Sequence, residues 1–369
     1  MAIRSTGVLV LLAVLTVAPA HAEPTDDVPF EEFGALSSEE KADEPAPQEP
    51  GAAFDDQPLK EPLTYPDWFT LSFLNLPEDL DDAVSAGKDG LIVFFGQKYC
   101  PYCKALLDVN FGQSDIVTYT RRHFDVVTVD VHGDRTVTTI GGDQLSEKAF
   151  ADREQTNFTP SLIFYGEDGE EALRLRGYYP PYEFQAALEY VADDHYEKET
   201  FRDYLERAGL TMAEEGEGLN DEPFFADPPY MLDRTRIAAE RPLAVFFEQG
   251  DCHACDVLHE GPLQNVVIRG QLEYLDNVQL DMWADTPVVT PGGERTTARE
   301  WAEELGLFYT PTLIFFDKQG EEILRVDSVV HFYRLRGVLD YILSGAHEKG
   351  ITYQRWRRGP LPGGRPGGR

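Results

Sequence analysis

A chain of 369 residues is long enough for two or three domains, and a hydrophobic content of 42% is sufficient for packed cores. The 66 acidic and 32 basic residues give a formal charge of −34, which argues against a nucleic-acid partner because phosphate binding requires a basic surface. This charge predicts a soluble protein that repels copies of itself.

The first 22 residues have the pattern of a secretory signal peptide. Arg4 precedes an apolar run over residues 8–17, and Ala20 and Ala22 stand before Glu23 as in an A-x-A cleavage site. The run is shorter than the roughly 20 residues that span a bilayer, so we favour cleavage over the alternative of a retained membrane anchor. Export to the periplasm follows, and disulfides form and persist there.

Residues 23–61 differ in composition from the rest of the chain. They hold 13 acidic residues, two lysines and six prolines, with few aliphatic side chains. Ordering such a backbone would not be offset by burial of apolar surface. We therefore predict a disordered, acidic, proline-rich segment.

Alternating apolar elements begin after residue 61. A helix is expected from Pro77 to just before Gly87, and a fully buried strand over residues 91–95. The next predicted elements are a helix at 103–109, strands at 124–131, 162–165 and 172–175, and helices at 182–192 and 196–207. The alternation predicts an α/β domain over residues 62–208.

The same pattern returns after an acidic stretch. Residues 209–229 contain six acids, no base and the pair Pro228-Pro229, as in an interdomain linker. Strands follow at 243–247, 278–282, 313–316 and 323–326, and a helix at 332–343. Cys100 and Cys252 are 152 positions apart and Pro160 and Pro311 are 151 apart, which indicates an internal duplication and a second domain over residues 230–354. Residues 355–369, with five arginines and no acid, are predicted to be a disordered basic tail.

Two Cys-x-x-C pairs carry the candidate chemistry. Each follows an apolar strand and stands where a helix is expected to begin, so the first sulfur, Cys100 or Cys252, lies at a helix N-terminus. The partial positive charge and free N–H groups there stabilise thiolate, the reactive form of cysteine. The second cysteine, Cys103 or Cys255, lies one turn further along and can attack a mixed disulfide. We predict that Cys100 and Cys252 are nucleophiles and that Cys103 and Cys255 are resolving thiols.

Three other roles compete for these cysteines. A shared zinc site is disfavoured because zinc ribbons separate their pairs by about 15 to 20 residues, whereas these pairs lie in different predicted domains. Haem attachment requires a histidine after the second cysteine, and Lys104 and Asp256 stand there instead. A pair of structural disulfides is the main alternative, with more weight at the second pair. We expect no metal and no cofactor.

The two halves resemble the thioredoxin superfamily. Each has the strand, Cys-x-x-C and helix, and each continues to a Thr-Pro pair, Thr159-Pro160 or Thr310-Pro311, that opens a later strand. The resemblance implies that both prolines are cis and face the dithiols. It also implies that these four residues bind the substrate chain.

A narrower resemblance concerns the first half. Residues 65–207, through segments such as Trp68-Phe-Thr-Leu-Ser-Phe73 and Phe158-Thr-Pro160, resemble the SoxW-type thioredoxins. These are exported proteins associated with sulfur-oxidation loci. The second half matches more weakly.

Two positions depart from the family pattern. The usual tryptophan before the first cysteine is replaced by Tyr99 and Asp251. The usual buried aspartate six residues before that cysteine, which manages the proton of the resolving thiol, is replaced by Phe94 and Phe246. Assistance for Cys103 must then come from another group or from water. The candidates are Lys98, Asp130 and Lys104.

The second site is predicted to be the weaker one. His253 would favour thiolate at Cys252 if it were cationic, whereas Asp251 disfavours it by repulsion of like charges. Gly261-Pro262 also shortens the helix after the second pair. Our hypothesis is that the first domain carries out the chemistry and the second serves as a slower relay or a binding domain.

These observations predict an α/β protein of two tandem thioredoxin-like folds, each a central mixed sheet flanked by helices. The expected activity is thiol:disulfide exchange with periplasmic protein substrates, in the direction of reduction, with Tyr99 and Tyr102 contacting the substrate. A membrane thiol donor would return the electrons. The alternative is a non-catalytic binding scaffold with structural disulfides. The presence of both a cysteine pair and a Thr-Pro pair in each half favours the enzyme.

Overall fold

The computed structural model of the protein describes residues 54–209 and 218–359. The predicted signal peptide at 1–22, most of the predicted acidic segment and the end of the predicted basic tail lie outside the described residues. Within the described ranges, no helix combines the length and the hydrophobicity needed to cross a membrane.

The first domain is a mixed sheet with helices on both faces. Its elements are α1 (Leu76–Ser85), β1 (Gly90–Gly96), α2 (Pro101–Ala105), a π-helical turn (Leu106–Asn110), α3 (Ser114–His123), β2 (Phe124–Asp130), β3 (Thr136–Thr138), β4 (Gln144–Ser146), α4 (Glu147–Arg153), β5 (Ser161–Gly166), β6 (Glu171–Arg176), α5 (Pro181–Ala192), a 3₁₀ turn (His195–Glu197) and α6 (Phe201–Arg207). The strand order is β2-β1-β5-β6, with β1 parallel to β2 and antiparallel to β5.

The second domain repeats this plan. Its elements are β7 (Tyr230–Met231), β8 (Leu243–Glu248), α7 (His253–Glu260), a 3₁₀ turn (Pro262–Gln264), α8 (Val266–Leu272), β9 (Asp276–Asp281), β10 (Pro287–Val289), β11 (Arg295–Thr297), α9 (Ala298–Glu304), β12 (Thr312–Phe316), β13 (Glu322–Val326), α10 (Phe332–Leu343), a 3₁₀ turn (His347–Lys349) and α11 (Tyr353–Arg358). The order β9-β8-β12-β13 corresponds strand for strand to the first sheet. The predicted α/β class and tandem arrangement are therefore confirmed.

The central strand β1 shows why the sequence folds this way. All seven of its residues are buried, because alternate side chains point to opposite faces and helices cover both faces. Ile92 and Phe94 join the cluster beneath α2 and α5, whereas Val93 and Phe95 join the cluster beneath α1 and α4. Each fully buried phenylalanine contributes roughly 1.5–3 kcal/mol. The strand therefore fixes the position of the loop that follows it, which carries Cys100.

Three segments predicted to be disordered or linker-like are packed where the structure describes them. Phe54 and Asp56, inside the predicted 23–61 segment, contact Tyr102. Glu222, inside the predicted 209–229 linker, is buried and accepts hydrogen bonds from Gln264 and Arg269. The start of the predicted tail forms α11, which packs on the second domain through a tyrosine–tryptophan cluster. The predicted disorder therefore does not extend to these described residues, because a few aromatic and charged side chains have buried partners that composition does not reveal.

The two duplicated domains contact each other through corresponding loops. Val329 N donates to Tyr178 O, and these residues lie at equivalent places after β13 and β6. Arg202 of α6 donates to Leu307 O across the same interface. Gly177 has φ +121° and contacts Ser328 so closely that no Cβ could be accommodated. The interface therefore brings both Thr-Pro loops near the opposite domain.

Candidate active sites

The first cysteine pair lies at the beginning of α2. Cys100 is the N-cap residue, and its Sγ accepts a hydrogen bond from Cys103 N at 2.9 Å. Pro101 occupies the first helical position, which suits its fixed φ. Cys100 and Cys103 form a disulfide, and both are buried, with Cys100 only 1% exposed. The pair thus has the helix-terminal placement that the sequence predicts.

A Thr-Pro loop lies against the first sulfur. The Thr159–Pro160 peptide is cis, as predicted. Thr159 Oγ1 lies 3.3 Å from Cys100 Sγ, and Thr159 O lies 3.4 Å from the same sulfur. Gln97 Nε2 donates to Thr159 Oγ1 and fixes its position. The predicted substrate role of Thr159 and Pro160 remains a prediction.

The two tyrosines predicted to contact substrate lie in different environments. Tyr99 is about half exposed beside Cys100. Tyr102 is buried, and its hydroxyl donates to Asp56 and accepts from His331 N at 2.9 Å. Its ring also contacts Phe54. Tyr102 therefore belongs to the interface with the second domain, and the substrate contact expected for both tyrosines stays a prediction.

The second domain covers the first site, which the sequence did not suggest. Arg334 Nη2, from α10, donates to Thr159 O at 2.9 Å. The Arg334 guanidinium lies 3.4 Å from the centroid of the Tyr102 ring. Asp56 Oδ1 and Oδ2 accept hydrogen bonds from Tyr333 N and Arg334 N, so this carboxylate caps α10. A cavity of about 290 Å³ remains beside Cys100.

The second cysteine pair repeats the local geometry. Cys252 is the N-cap of α7, and its Sγ accepts from Cys255 N at 3.1 Å. The pair forms a disulfide, with Cys252 8% exposed and Cys255 fully buried. The Thr310–Pro311 peptide is cis, as predicted, and Thr310 Oγ1 lies 3.5 Å from Cys252 Sγ. As expected, α7 ends at Glu260, directly before Gly261.

A cavity opens beside Cys252. Its volume is about 280 Å³, and residues of both domains line it. Thr310 and Pro311 contribute from the second domain, and Glu183 of α5 contributes from the first. Burial raises the pKa of Glu183 from its ordinary 4.5 to about 8. No pattern in the sequence indicates that this acid, on the predicted helix 182–192, lies at the second site.

The proposed assistants of Cys103 lie elsewhere. Lys104 forms an ion pair with Asp108 on the surface, and Asp130 accepts from His132 N. Among the described residues, neither these side chains nor Lys98 makes a hydrogen bond with a cysteine sulfur. Phe94 and Phe246 are fully buried, so the usual carboxylate position is apolar in both domains. Any proton transfer at the two dithiols must therefore use other groups.

A buried acid–histidine cluster lies beneath the second site. Glu248, at the end of β8, lies 3.0 Å from His259 Nε2, and Glu222 lies 3.6 Å from His259 Nδ1. Burial alone would lower the pKa of His259, but the hydrogen bond and charge of Glu248, together with Glu222, raise it above its ordinary 6.5. His259 follows Cys255 by four residues on α7, so both lie on one helix face. In the first domain, the position that corresponds to Glu248 at the end of the strand is occupied by Gly96.

Replacing Glu248 by Gln should destabilise the protein most at acidic pH. Because the pKa of His259 is raised in the folded state, its ion pair stabilises fully below the unfolded pKa of about 6.5, and this contribution is lost as pH rises through the folded pKa. We expect Glu248→Gln to lower the free energy of unfolding by about 2 kcal/mol at pH 6 and by less at pH 9. Urea denaturation at both values measures this, with exposed Glu321→Gln as control. A loss that is equal at the two pH values would contradict the assignment.

The described residues contain no group of three or more His, Cys, Asp or Glu side chains with the geometry of a metal site. The candidate sites consist of two disulfides, two cis Thr-Pro loops and the residues that each domain places near the other.

Comparisons with known proteins concern both halves. The family model for the thioredoxin-like domain matches residues 76–192 and 232–343. A thioredoxin-fold protein from Helicobacter pylori is 21% identical with a TM-score of 0.31, covering 39% of this chain and 94% of its own. A thioredoxin from Thermus thermophilus is 27% identical with a TM-score of 0.26, covering 32% and 83%. A disulphide isomerase from Xylella fastidiosa is 22% identical with a TM-score of 0.21, covering 33% and 85%. Comparison with curated protein sequences gave no significant match.

Proposed function

This chain belongs to the thioredoxin-like domain family through both of its halves, and we propose on that premise that it is a thiol:disulfide oxidoreductase. One observation carries the proposal. In each domain the first cysteine caps a helix and lies within 3.5 Å of the threonine of a cis Thr-Pro loop. A purely structural disulfide requires the two cysteines but not this loop, so the repeated combination favours exchange chemistry.

The chemistry follows from the order of the two thiols. In the reduced protein, the Cys100 thiolate attacks a substrate disulfide, forms a mixed disulfide and releases one substrate thiol. Cys103 then attacks the Cys100 sulfur, closes the Cys100–Cys103 disulfide and releases the second substrate thiol. Two electrons pass from the dithiol to the substrate. Cys252 and Cys255 would perform the same two steps at the second site.

We further propose that the substrates are periplasmic proteins and that the protein acts as a reductase recharged by a membrane thiol donor. The pattern of the first 22 residues supports export, and the SoxW-type resemblance of residues 65–207 supports this setting. The reduction potentials decide the direction. Values near that of thioredoxin, about −270 mV, mean a reductase, and values near −120 mV mean an oxidase.

The burial of the cysteines favours a second candidate, a non-catalytic scaffold with permanent disulfides. Cys100 is only 1% exposed, and Asp56 and Arg334 of α10 line the same cavity beside it. Exchange with a protein at this site therefore requires α10 to move away from the Thr159 loop. A scaffold has no such requirement, so the two candidates differ in whether reduced protein exchanges with substrates.

Dithiothreitol-reduced protein should reduce insulin disulfides, and Cys103→Ala should trap a mixed disulfide from a periplasmic extract because the resolving thiol is missing. We expect Cys100→Ser to lower turnover to near background and Cys252→Ser to have a smaller effect, as the first-site hypothesis requires. Insulin turbidity and non-reducing gels measure both results. Absence of turnover together with absence of a trapped adduct would establish the scaffold, and equal losses in the two serine variants would disprove dominance of the first site.

A further inference from the structure

Two charged residues hold equivalent positions in the duplicated domains. Glu183 is the third residue of α5, and Arg334 is the third residue of α10. They are 151 positions apart, the same separation as Pro160 and Pro311. Each lies at the dithiol site of the opposite domain. The duplication has thus placed an acid and a base at matched positions across one interface.

Arg334 brings a fixed positive charge to the first site. It is buried, and its guanidinium donates to Thr159 O, which itself lies 3.4 Å from Cys100 Sγ. Among the described residues, no carboxylate lies within ion-pair distance of this guanidinium. The charged or titratable groups facing it are Asp56, Tyr102, His331, Tyr353 and Arg357. The positive charges of Arg334 and Arg357 outnumber the single negative charge of Asp56, so the first site is electropositive.

Glu183 brings an exchangeable proton to the second site. It is buried, and its Oε2 has no hydrogen-bond partner among the described residues. It shares the 280 Å³ cavity with Cys252. The titratable groups facing it are Tyr178, Tyr179 and Tyr182 of its own domain, Asp251, His253 and Tyr309 around the second dithiol, and His331 at the start of α10. Neither Lys nor Arg lines this cavity within the described part of the chain.

We propose that each dithiol site is completed by the opposite domain: Arg334 stabilises the Cys100 thiolate, and Glu183 exchanges protons with Cys252. The inference rests on the proposed thiol:disulfide exchange and assigns two residues to it. Arg334 acts through charge and through its hydrogen bond to Thr159 O, which reduces the repulsion between that carbonyl and a thiolate. The cation is permanent, so its effect does not depend on pH near neutrality.

At the second site, Glu183 takes up one proton at the start of the exchange and returns it to the leaving group. The Glu183 carboxylate accepts the proton of the Cys252 thiol, and the resulting thiolate attacks a substrate disulfide R–S–S–R′. The Cys252–S–S–R bond forms, the R–S–S–R′ bond breaks, and the leaving R′S⁻ takes the proton back from Glu183. Cys255 then displaces R–SH and closes the Cys252–Cys255 disulfide. Burial raises the pKa of Glu183 to about 8, which suits exchange with a thiol.

The test uses two full-length proteins that each retain one dithiol. The Cys252→Ser/Cys255→Ser protein reports on the first site, and the Cys100→Ser/Cys103→Ser protein reports on the second. Arg334→Gln and Glu183→Gln are introduced into each, and the reduced proteins are alkylated with iodoacetamide across a pH series. The midpoint of the alkylation rate against pH gives the thiol pKa, whereas the plateau rate reports how accessible the sulfur is. The two readouts therefore separate an opening of the interface from an electrostatic effect.

The expected result is a crossed pattern. Arg334→Gln raises the Cys100 midpoint by about one pH unit, Arg334→Lys restores most of this shift, and neither moves the Cys252 midpoint. Glu183→Gln removes an inflection between pH 7 and 9 from the Cys252 profile and leaves the Cys100 profile unchanged. Unshifted midpoints, or equal shifts at both sites in both variants, would overturn the proposal.

One measurement does not depend on the Arg334 variants folding. A stabilised thiolate makes a dithiol more oxidising. The first-site protein with Arg334 intact should therefore have a more positive reduction potential than the second-site protein. The reverse order would overturn the assignment of Arg334. Neither readout uses a protein substrate, so failure to reduce insulin would count against the proposed function while these profiles still decide the roles of the two residues.

Discussion

Replacing Asp56 by Ala should lower the free energy of unfolding by about 3 kcal/mol and expose Cys100 to alkylation. The Asp56 carboxylate is buried and accepts three hydrogen bonds, from Tyr102 Oη at 2.8 Å, Tyr333 N at 3.0 Å and Arg334 N at 2.8 Å. Alanine would leave two backbone donors and one phenol without their acceptor in a buried place, and each such group costs about 1–3 kcal/mol. It would also remove a negative charge from the N-terminus of α10.

The matched control is Asp55→Ala. Asp55 is exposed and, within the described part of the chain, accepts a hydrogen bond only from Gln57 N, so its replacement should change stability by less than about 0.5 kcal/mol. Urea denaturation gives the free energies, and iodoacetamide modification of the reduced protein gives the accessibility of Cys100. If Asp56→Ala matched the control in both measurements, Asp56 would not hold α10 over the first site. Asp56→Asn, which retains an acceptor oxygen, should lower the free energy of unfolding by less than Asp56→Ala.

The parts of the fold that local patterns determine could be predicted. The helix predicted at 332–343 is observed as Phe332–Leu343, because Leu335, Val338, Leu339 and Ile342 recur at helical spacing and face one core. The apolar run at 91–95 forms the central strand, because a short continuous apolar segment suits a strand that is buried on both faces. Both Thr-Pro pairs are cis, as the resemblance implied. Element types and the duplication are thus written into short-range periodicity and matched spacing.

The interface could not be predicted because its contacts join residues that are far apart in the chain. Arg334 follows Phe332 and Tyr333 in α10, and helical spacing alone gives no reason to place it against Thr159, 175 positions earlier. Asp56 lies in a segment whose composition predicts disorder, yet its one carboxylate has three partners in two domains. Neither propensity nor periodicity reports such pairings, because each depends on how two completed domains pack.

The residues at the two candidate sites also come from distant parts of the chain. The absence of a carboxylate at Phe94 and Phe246 is visible in the sequence. The three replacements predicted for it all lie in the first domain. The structure places Arg334 at the first site and Glu183 at the second instead, each from the opposite domain. A duplicated sequence offers one usable signal for this: the third position of the helix that follows the last strand of each domain, α5 or α10, is charged, with opposite signs.

Glu183→Gln should make the protein more stable than the wild type at alkaline pH. Burial raises the pKa of Glu183 in the folded state from 4.5 to about 8. Between these values the folded protein holds a proton that the unfolded chain has released, so the free energy of unfolding falls as pH rises from 4.5 to 8 and then levels off. At 1.36 kcal/mol per pKa unit, the full difference is roughly 3–5 kcal/mol. Glutamine is neutral throughout and lacks this penalty.

The comparison is made by urea denaturation at pH 5, 7 and 9, because other groups titrate equally in both proteins and cancel in the difference. The advantage of Glu183→Gln should be small at pH 5 and largest at pH 9. Glu189→Gln, in the same helix but only partly buried, is the matched control, and the pH dependence of the Glu183→Gln difference should exceed that of this control. A constant difference for Glu183→Gln would mean that its carboxyl ionises normally in the folded protein. That result would also remove the physical basis for proton exchange with Cys252, since an acid already ionised well below neutral pH is a poor proton carrier for a thiol.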